Sequence, residues 1–320
     1  MASSFLQKNR LLLGVWLGLG LLFAAFAAGI IPGAVYVSYR GYNELYEQQP
    51  ANAQGPAFWK RQQSVFSEQD LSEAHNLLQL QVNADINLAA DQRFLRTGAW
   101  IVNSLKNNPR SEPDTNLARM EFIDQFKTAD ADSTRPLWCG NFAIFGLMFQ
   151  SQQQLLCRYI GLHDGSDQHV WNETFVPGLN QWVLSDYMHG ILAFRDRSGK
   201  WLNAADLLDF KLAGRISELE MLKPTGSNQW QWQNLDSSIH EPYLNEHPRL
   251  LYYHTLHKPD AYQPLQKIKR YLYPISWHDT YDPQRGSNLL FYVRLFTLYG
   301  WFLISGTLLT RWIYDRTKKH

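Results

Sequence analysis

Residues 139–186 read CGNFAIFGLMFQSQQQLLCRYIGLHDGSDQHVWNETFVPGLNQWVLSD, and the change of pattern inside them decides the fold. Over 139–152, Phe142, Ala143, Ile144, Phe145, Leu147, Met148 and Phe149 leave almost no polar face. A helix that is apolar all round is a buried helix. Pro136 precedes it and the polar run 150–154 ends it. Residues 156–162 then read as a strand, His163-Asp164-Gly165-Ser166 as a hairpin tip, and 169–176 as a second, alternating strand. Pro177-Gly178 suits a type II turn into a third strand, 181–186. A buried helix followed by an antiparallel meander is an α+β pattern.

Cys139 opens the helix, where unpaired N–H groups and a partial positive charge favour thiolate over thiol and can hold an oxyanion. Trp138 and Gly140 flank it, and the small Gly140 would let a substrate approach the backbone. On the second strand, alternation sets His169, Trp171, Glu173 and Phe175 on one face. With a two-residue turn, Glu173 faces Trp182, Trp171 faces Leu184, and His169 faces Asp186, within reach of a carboxylate–imidazole hydrogen bond. The expected roles are nucleophile for Cys139, general base and acid for His169, and ring orientation for Asp186. Cys157 reads as a small core residue. A bond to Cys139 would need an oxidising compartment, and the intervening helix holds the two sulfurs apart.

Cys139-Gly140-Asn141-Phe142-Ala143, Arg158-Tyr159, His169-Val170-Trp171-Asn172-Glu173 and Trp182-Val183-Leu184-Ser185-Asp186 together resemble the transglutaminase-like superfamily of papain-type thiol enzymes. The resemblance covers about 93–210. It implies a helix packed on an antiparallel sheet, no cofactor, and action on protein or peptide amides through a thioester, with Cys139, His169 and Asp186 as the catalytic positions. The chain departs from the pattern in having Gln154-Leu155-Leu156 before the Arg-bearing strand, Tyr187 after the aspartate, and no glutamine upstream of Cys139 that presents itself as an oxyanion donor.

Working outward, 41–57 holds Pro50, Gly55 and Pro56 and reads as a linker. Residues 67–107 read as helical, with a Ser67/Asp70 cap and a further helix over 93–105; 115–127 is a third. Residues 201–210 read as helical, and 225–286 show no clear period. Two further motifs read as bland. His254 and His257 have no evident third metal ligand, and Asp164, Gly165 and Asp167 suit a plain hairpin tip better than calcium. No metal site is expected. Asn172-Glu173-Thr174 is a glycosylation acceptor in form, but it lies inside a strand.

Residues 11–39 carry no charge, and 289–310 carry only Arg294, which can snorkel. Lys8, Arg10, the apolar run and Ala25-Phe26-Ala27 also fit a cleaved signal peptide; the apolar run continues past that site, which favours a retained anchor. Lys8 and Arg10 lie outside the first span, and Arg311, Arg316, Lys318 and Lys319 outside the second. The positive-inside rule therefore puts both ends in the cytoplasm and 41–286 outside it. The expected organisation is an anchor over 1–40, an extracytoplasmic domain over 41–286, and a span with a basic tail over 287–320, in a bacterial inner membrane.

A formal net charge of +1 without a basic block excludes nucleic acid as the expected partner. Two spans with one marginal charge offer no transport pathway. Two classes remain: a membrane-anchored amide hydrolase or acyltransferase, and a non-catalytic binding or assembly module of an envelope complex, for instance one handling polysaccharide.

Overall fold

The computed structural model describes the chain except residues 1, 33, 47–60, 83–86, 113–114, 164–167, 227, 236–248, 255, 257–263, 285 and 319–320. Nine strands are described: β1 Tyr36–Arg40, β2 Leu156–His163, β3 Gln168–Val176, β4 Gln181–Ser185, β5 Ala193–Arg195, β6 Glu220–Gly226, β7 Gln229–Asn234, β8 Arg249–Tyr253 and β9 Ile275–Tyr281. Six of them form one sheet in the order β1-β9-β8-β2-β3-β4, and β5-β6-β7 form a second. The architecture is α+β, with an apolar helix near each end of the chain.

Packing divides the chain into two compact units. One comprises Tyr39–Lys258 and Trp277–Arg285; the other comprises Met1–Ser38, Pro259–Ser276 and Gly286–His320. In the first, strand alternation gives the larger sheet two buried faces. Cys157, Val176 and Val183 face one cluster with Phe142, Phe145 and Phe149 of the helix Cys139–Gln152. Trp171, Phe175, Trp182, Leu184 and Tyr252 face the other. The helix meets β3 at one point of very close approach. Asn172 Nδ2 donates to the Ala143 carbonyl at 2.8 Å, and a Cβ at Gly146 would lie 2.2 Å from Asn172 Oδ1.

Opposite that helix, the sheet encloses an ion pair with no exposed surface. Arg158 Nε donates to Glu173 Oε2 at 2.6 Å, and Arg158 Nη1 donates to the Leu45 carbonyl at 2.9 Å. Glu173 Oε1 accepts from the Ala204 N–H at 2.6 Å and the Tyr46 hydroxyl at 2.8 Å. Trp182, Tyr46 and Tyr252 place their rings over the guanidinium at 3.9–4.8 Å. Residues 41–46 are therefore no linker: Tyr42–Tyr46 is a short helix whose Leu45 and Tyr46 are buried. The remainder of that expected linker, 47–57, lies outside the described residues.

Local chemistry explains most boundaries. Ser67 and Asp70 form the expected capping box on Glu68–Gln81, and the second helix is Ala90–Leu105. The third helix is Phe122–Ala131, displaced from the expected 115–127; Leu117–Arg119 is only a 3-10 turn. Its start is set from outside, because the buried Asp70 Oδ1 accepts from the Ile123 N–H at 2.8 Å. The helix expected over 201–210 is Ala204–Leu212, begun by an Asn203/Asp206 capping box. The segment 225–286 contains β7, β8, β9 and the helix Pro264–Leu272. Asn172, Glu173 and Thr174 are buried in β3, so the glycosylation motif is occluded. The tip at 164–167 and His257 lie outside the described residues, and His254 Nε2 lies 3.2 Å from Asp279 Oδ1.

In the second unit, Arg10–Ala27 and Leu289–Thr317 are each long and apolar enough to cross a membrane. The charge-free stretch to Tyr39 is not one helix. Gly29, at φ +72°, follows the last turn, and Tyr36–Arg40 is a strand. The two helices touch through stacked Trp16 and Trp301, with Trp16 Nε1 donating to Ser305 Oγ at 2.7 Å.

Removing one member of a fully buried ion pair leaves the other charge without compensation, at a cost of ~3–5 kcal/mol. Arg158→Met should lower unfolding free energy by about that amount in denaturant titrations of the detergent-solubilised chain. Arg158→Met combined with Glu173→Gln should lose less than Arg158→Met alone, because glutamine stays neutral and still accepts from Ala204 and Tyr46. Equal losses would show that the pair is not the source of the stability.

Candidate active site

The three residues singled out by sequence come together. Cys139 begins its helix behind Trp138, whose N–H donates to Asn141 Oδ1 at 3.0 Å. The N–H groups of Asn141 and Phe142 already bond the Trp138 carbonyl, leaving those of Cys139 and Gly140 ahead of the helix's own ladder. Among the described residues, a Cβ at Gly140 would meet the Tyr159 hydroxyl at 3.8 Å, an ordinary contact, so packing there does not demand glycine. Cys139 is half-buried and both cysteines are free thiols.

His169 Nε2 lies 2.9 Å from Asp186 Oδ2, and its imidazole also hydrogen-bonds the Cys139 thiol. With Nε2 on the carboxylate, Nδ1 is the nitrogen left for sulfur. The route to this geometry differs from the expected register. β3 and β4 pair Val176 with Gln181, Phe175 with Trp182, Glu173 with Leu184 and Asn172 with Ser185. Pro177–Asn180 form a four-residue turn with Asn180 at φ +50°, and Gly178 is not left-handed, so no type II turn forms at Pro177-Gly178. Asparagine tolerates that conformation, which lets the longer turn close. Continuing the pairing sets Trp171 opposite Asp186, with His169 two residues farther on. A shift of two keeps every side chain on its expected face, and the diagonal neighbour is still within reach of an imidazole. Trp171 fills the directly opposed place, donating Nε1–H to Asp186 Oδ2 at 3.2 Å.

Sequence reading missed His189. A 3-10 turn, Tyr187–His189, follows Asp186 and is stopped by Gly190 at φ +69°. It brings His189 Nδ1 to 2.8 Å from the same Asp186 Oδ2. The Asp-x-x-His spacing before a glycine is the one sequence signal for it. Arg110 was missed as well; it lies over the Phe142 ring at 4.4 Å and feels the charge of Asp186. Among the described residues, His169, Asp186 and His189 are the group with metal-binding atoms close together, all within 4.8 Å. Here both imidazoles and the Trp171 indole direct their N–H bonds at one carboxylate oxygen.

The electrostatics follow from these contacts. Burial pushes the Cys139 thiol up, but its hydrogen bond to His169, that ring's charge and a Val170 backbone bond outweigh burial and bring it below its ordinary 9.0. Burial would lower His169; the Asp186 carboxylate overrides it and raises the imidazole from 6.5 to about 9. Asp186 pays for its burial too, yet the two histidines hold its carboxyl far below the usual range. A thiolate–imidazolium pair is thus favoured in a window that closes as pH rises through about 9. Cys157 is the contrast, since burial pushes it up to about 12.

No family model and no curated protein sequence matches the chain. A crystal structure from Cytophaga hutchinsonii, provisionally described as a cysteine protease, overlaps 54% of this chain at 16% identity with a TM-score of 0.27. The overlap spans 59% of that protein's length. A likeness that loose carries no argument about activity, and the chemistry rests on the geometry above.

Alkylation of the native chain with iodoacetamide should modify Cys139 and spare Cys157 until the protein unfolds, as read by peptide mass spectrometry. The Cys139 rate should persist well below pH 9, and His169→Ala should move its titration upward, because the imidazole's bond and charge are then gone and burial dominates. An unchanged profile in His169→Ala would remove the imidazole from the argument. The raised His169 pKa also has a stability consequence. Its contribution is fully present below pH 6.5 and lost as pH rises through about 9, so wild type and His169→Ala should converge in unfolding midpoint above that pH.

Proposed function

We propose that the chain is a membrane-anchored thiol acyl-transfer enzyme with a transglutaminase-like, papain-type core, in which Cys139 attacks an amide carbonyl. The observation that supports it most is the imidazole of His169 held between the Cys139 thiol and the Asp186 carboxylate, at the opening of a buried helix. The thiolate adds to the carbonyl carbon, and the N–H groups of Cys139 and Gly140 receive the developing oxyanion. His169 gives its proton to the departing amine, leaving a thioester. It then takes a proton from water or from an incoming amine, which restores the thiol site and releases acid or new amide. Asp186 keeps Nε2 protonated, so Nδ1 faces sulfur, and Trp171 and His189 keep that carboxylate ionised and in place. Exposed Trp138 and the open side of Gly140 border the substrate's approach.

The two apolar helices and the basic residues beyond them favour a chain with both termini in the cytoplasm and the triad outside it, in a bacterial inner membrane. The substrate class is a protein or peptide amide of the envelope. The reaction needs no cofactor.

Purified full-length protein incubated with a glutamine- and asparagine-containing peptide pool should form a hydroxylamine-sensitive adduct on Cys139, seen by intact mass. Cys139→Ala should abolish turnover, and Asp186→Asn should lower it by roughly 10²–10⁴-fold. If no adduct forms and Cys139 alkylates no faster than a free cysteine, the domain is instead a binding or assembly module.

A further inference from the structure

The helix Pro264–Leu272, PLQKIKRYL, has no acidic residue and places Leu265, Ile268, Tyr271 and Leu272 along one side at helical spacing. Among the described residues, little packs against much of that side. Leu265 is 80% exposed and Ile268 56%, and Leu272, Tyr273 and Ile275 are exposed beyond them. Lys269 and Arg270 occupy its last turn. A soluble surface seldom leaves so continuous an apolar strip open.

Its neighbours within the same unit say where it lies. Arg294, near the start of the helix Leu289–Thr317, donates Nη2–H to the Tyr271 carbonyl at 2.5 Å. A cation at a helix C-terminus is favoured by the dipole, so this bond pins the short helix to the long one. Tyr271 also meets Phe23, in the last turns of Arg10–Ala27, edge to face. Tyr273 and Tyr36 both pack on Phe291. At the far end of the two long helices, Arg311 donates to Asn9 Oδ1 at 2.9 Å. Arg294 and Arg311 stand about 25 Å apart along the helix at ~1.5 Å per residue, close to the ~30 Å of a hydrocarbon core. The short helix is therefore level with a ring of aromatic side chains at one end of the spans, where tyrosines mark an interface.

We propose that Pro264–Leu272 lies in the plane of the membrane, its Leu265–Ile268–Leu272 side in the acyl chains and Lys269 and Arg270 at anionic lipid headgroups. The proposal rests on the reading of the two long helices as membrane spans. In-plane helices combine this kind of apolar side with flanking cations. Anchored through Tyr271 and Arg294, the helix would make the span unit sensitive to the charge of one leaflet.

The test uses full-length protein in nanodiscs, on a Cys139→Ala background, labelled with an environment-sensitive fluorophore at Ile268→Cys, Leu303→Cys or Ser198→Cys. Leu303, exposed in the middle of the long helix, reports the spans, and Ser198 reports solvent. The label at 268 should be quenched several-fold more by shallow spin-labelled lipid than by iodide, and more strongly in anionic than in zwitterionic discs. Lys269→Glu with Arg270→Glu should erase that dependence on lipid charge. A label at 268 that behaves like that at 198, while 303 is lipid-quenched, overturns the proposal and leaves the spans intact. Shielding of 268 from both quenchers would assign the strip to a protein partner, which also overturns it. If 303 is itself quenched by iodide and not by lipid, the spanning reading fails first.

Discussion

The buried Arg158–Glu173 pair is the constraint around which the rest of the domain is arranged. Two full charges without exposed surface cost far more than their mutual attraction returns unless every remaining donor and lone pair is also satisfied. That requirement recruits distant segments. The Leu45 carbonyl, the Tyr46 hydroxyl and the N-terminus of Ala204–Leu212 supply hydrogen bonds, while Trp182 and Tyr252 cover the guanidinium. Arg158 faces Glu173 directly across β2 and β3, so the pair also fixes register there. A slip of one residue would aim one of the charges at the apolar helix on the other side.

Once that register is fixed, the placement of His169 beside Cys139 follows by short steps. Asn172 and Thr174, next to Glu173, must face the helix Cys139–Gln152, and Asn172 reaches its Ala143 carbonyl. Only glycine at 146 lets the helix come this near. The same strand then carries His169 past the end of its pairing with β4, to the level of the helix's first residue. The buried Glu173 carboxylate and the His169 imidazole thus share one strand with the same parity, four residues apart.

Legibility in the sequence tracked the range of the interactions involved. The Cys139 helix, the Ser67/Asp70 cap and the meander rest on periodicity and near neighbours, and they stand where the residues put them. His169 and Asp186 still meet because the turn is longer than expected by two residues, an even number that preserves each side chain's face. What stayed hidden depended on distant partners. The start of Phe122–Ala131 is set by Asp70, Tyr46 is ordered by a charge pair over a hundred residues away, and β8 and β9 gain their identity by joining a sheet begun elsewhere. His189 offered a local clue, but a lone histidine three residues after an aspartate means little before the aspartate's role is known.

The two cysteines show how position and not residue type sets thiol acidity here. Both are substantially buried, and burial alone pushes each thiol upward. Cys157 meets neutral contacts, among them Thr174 Oγ1 at 3.5 Å and Asn172 Nδ2 at 3.8 Å, that do not offset its burial, and so remains protonated. Cys139 meets an imidazole whose own charge is secured by Asp186, whose charge in turn is secured by His189 and Trp171. Each group stabilises the charge of the next, carboxylate to imidazolium to thiolate, and the chain ends on sulfur beside a helix N-terminus. Removing His189 should therefore act on Cys139 without touching it. In His189→Gln the carboxylate keeps His169 and Trp171 but loses the imidazole bond that helps hold its carboxyl low, so the alkylation profile of Cys139 should shift toward alkaline pH while the fold persists.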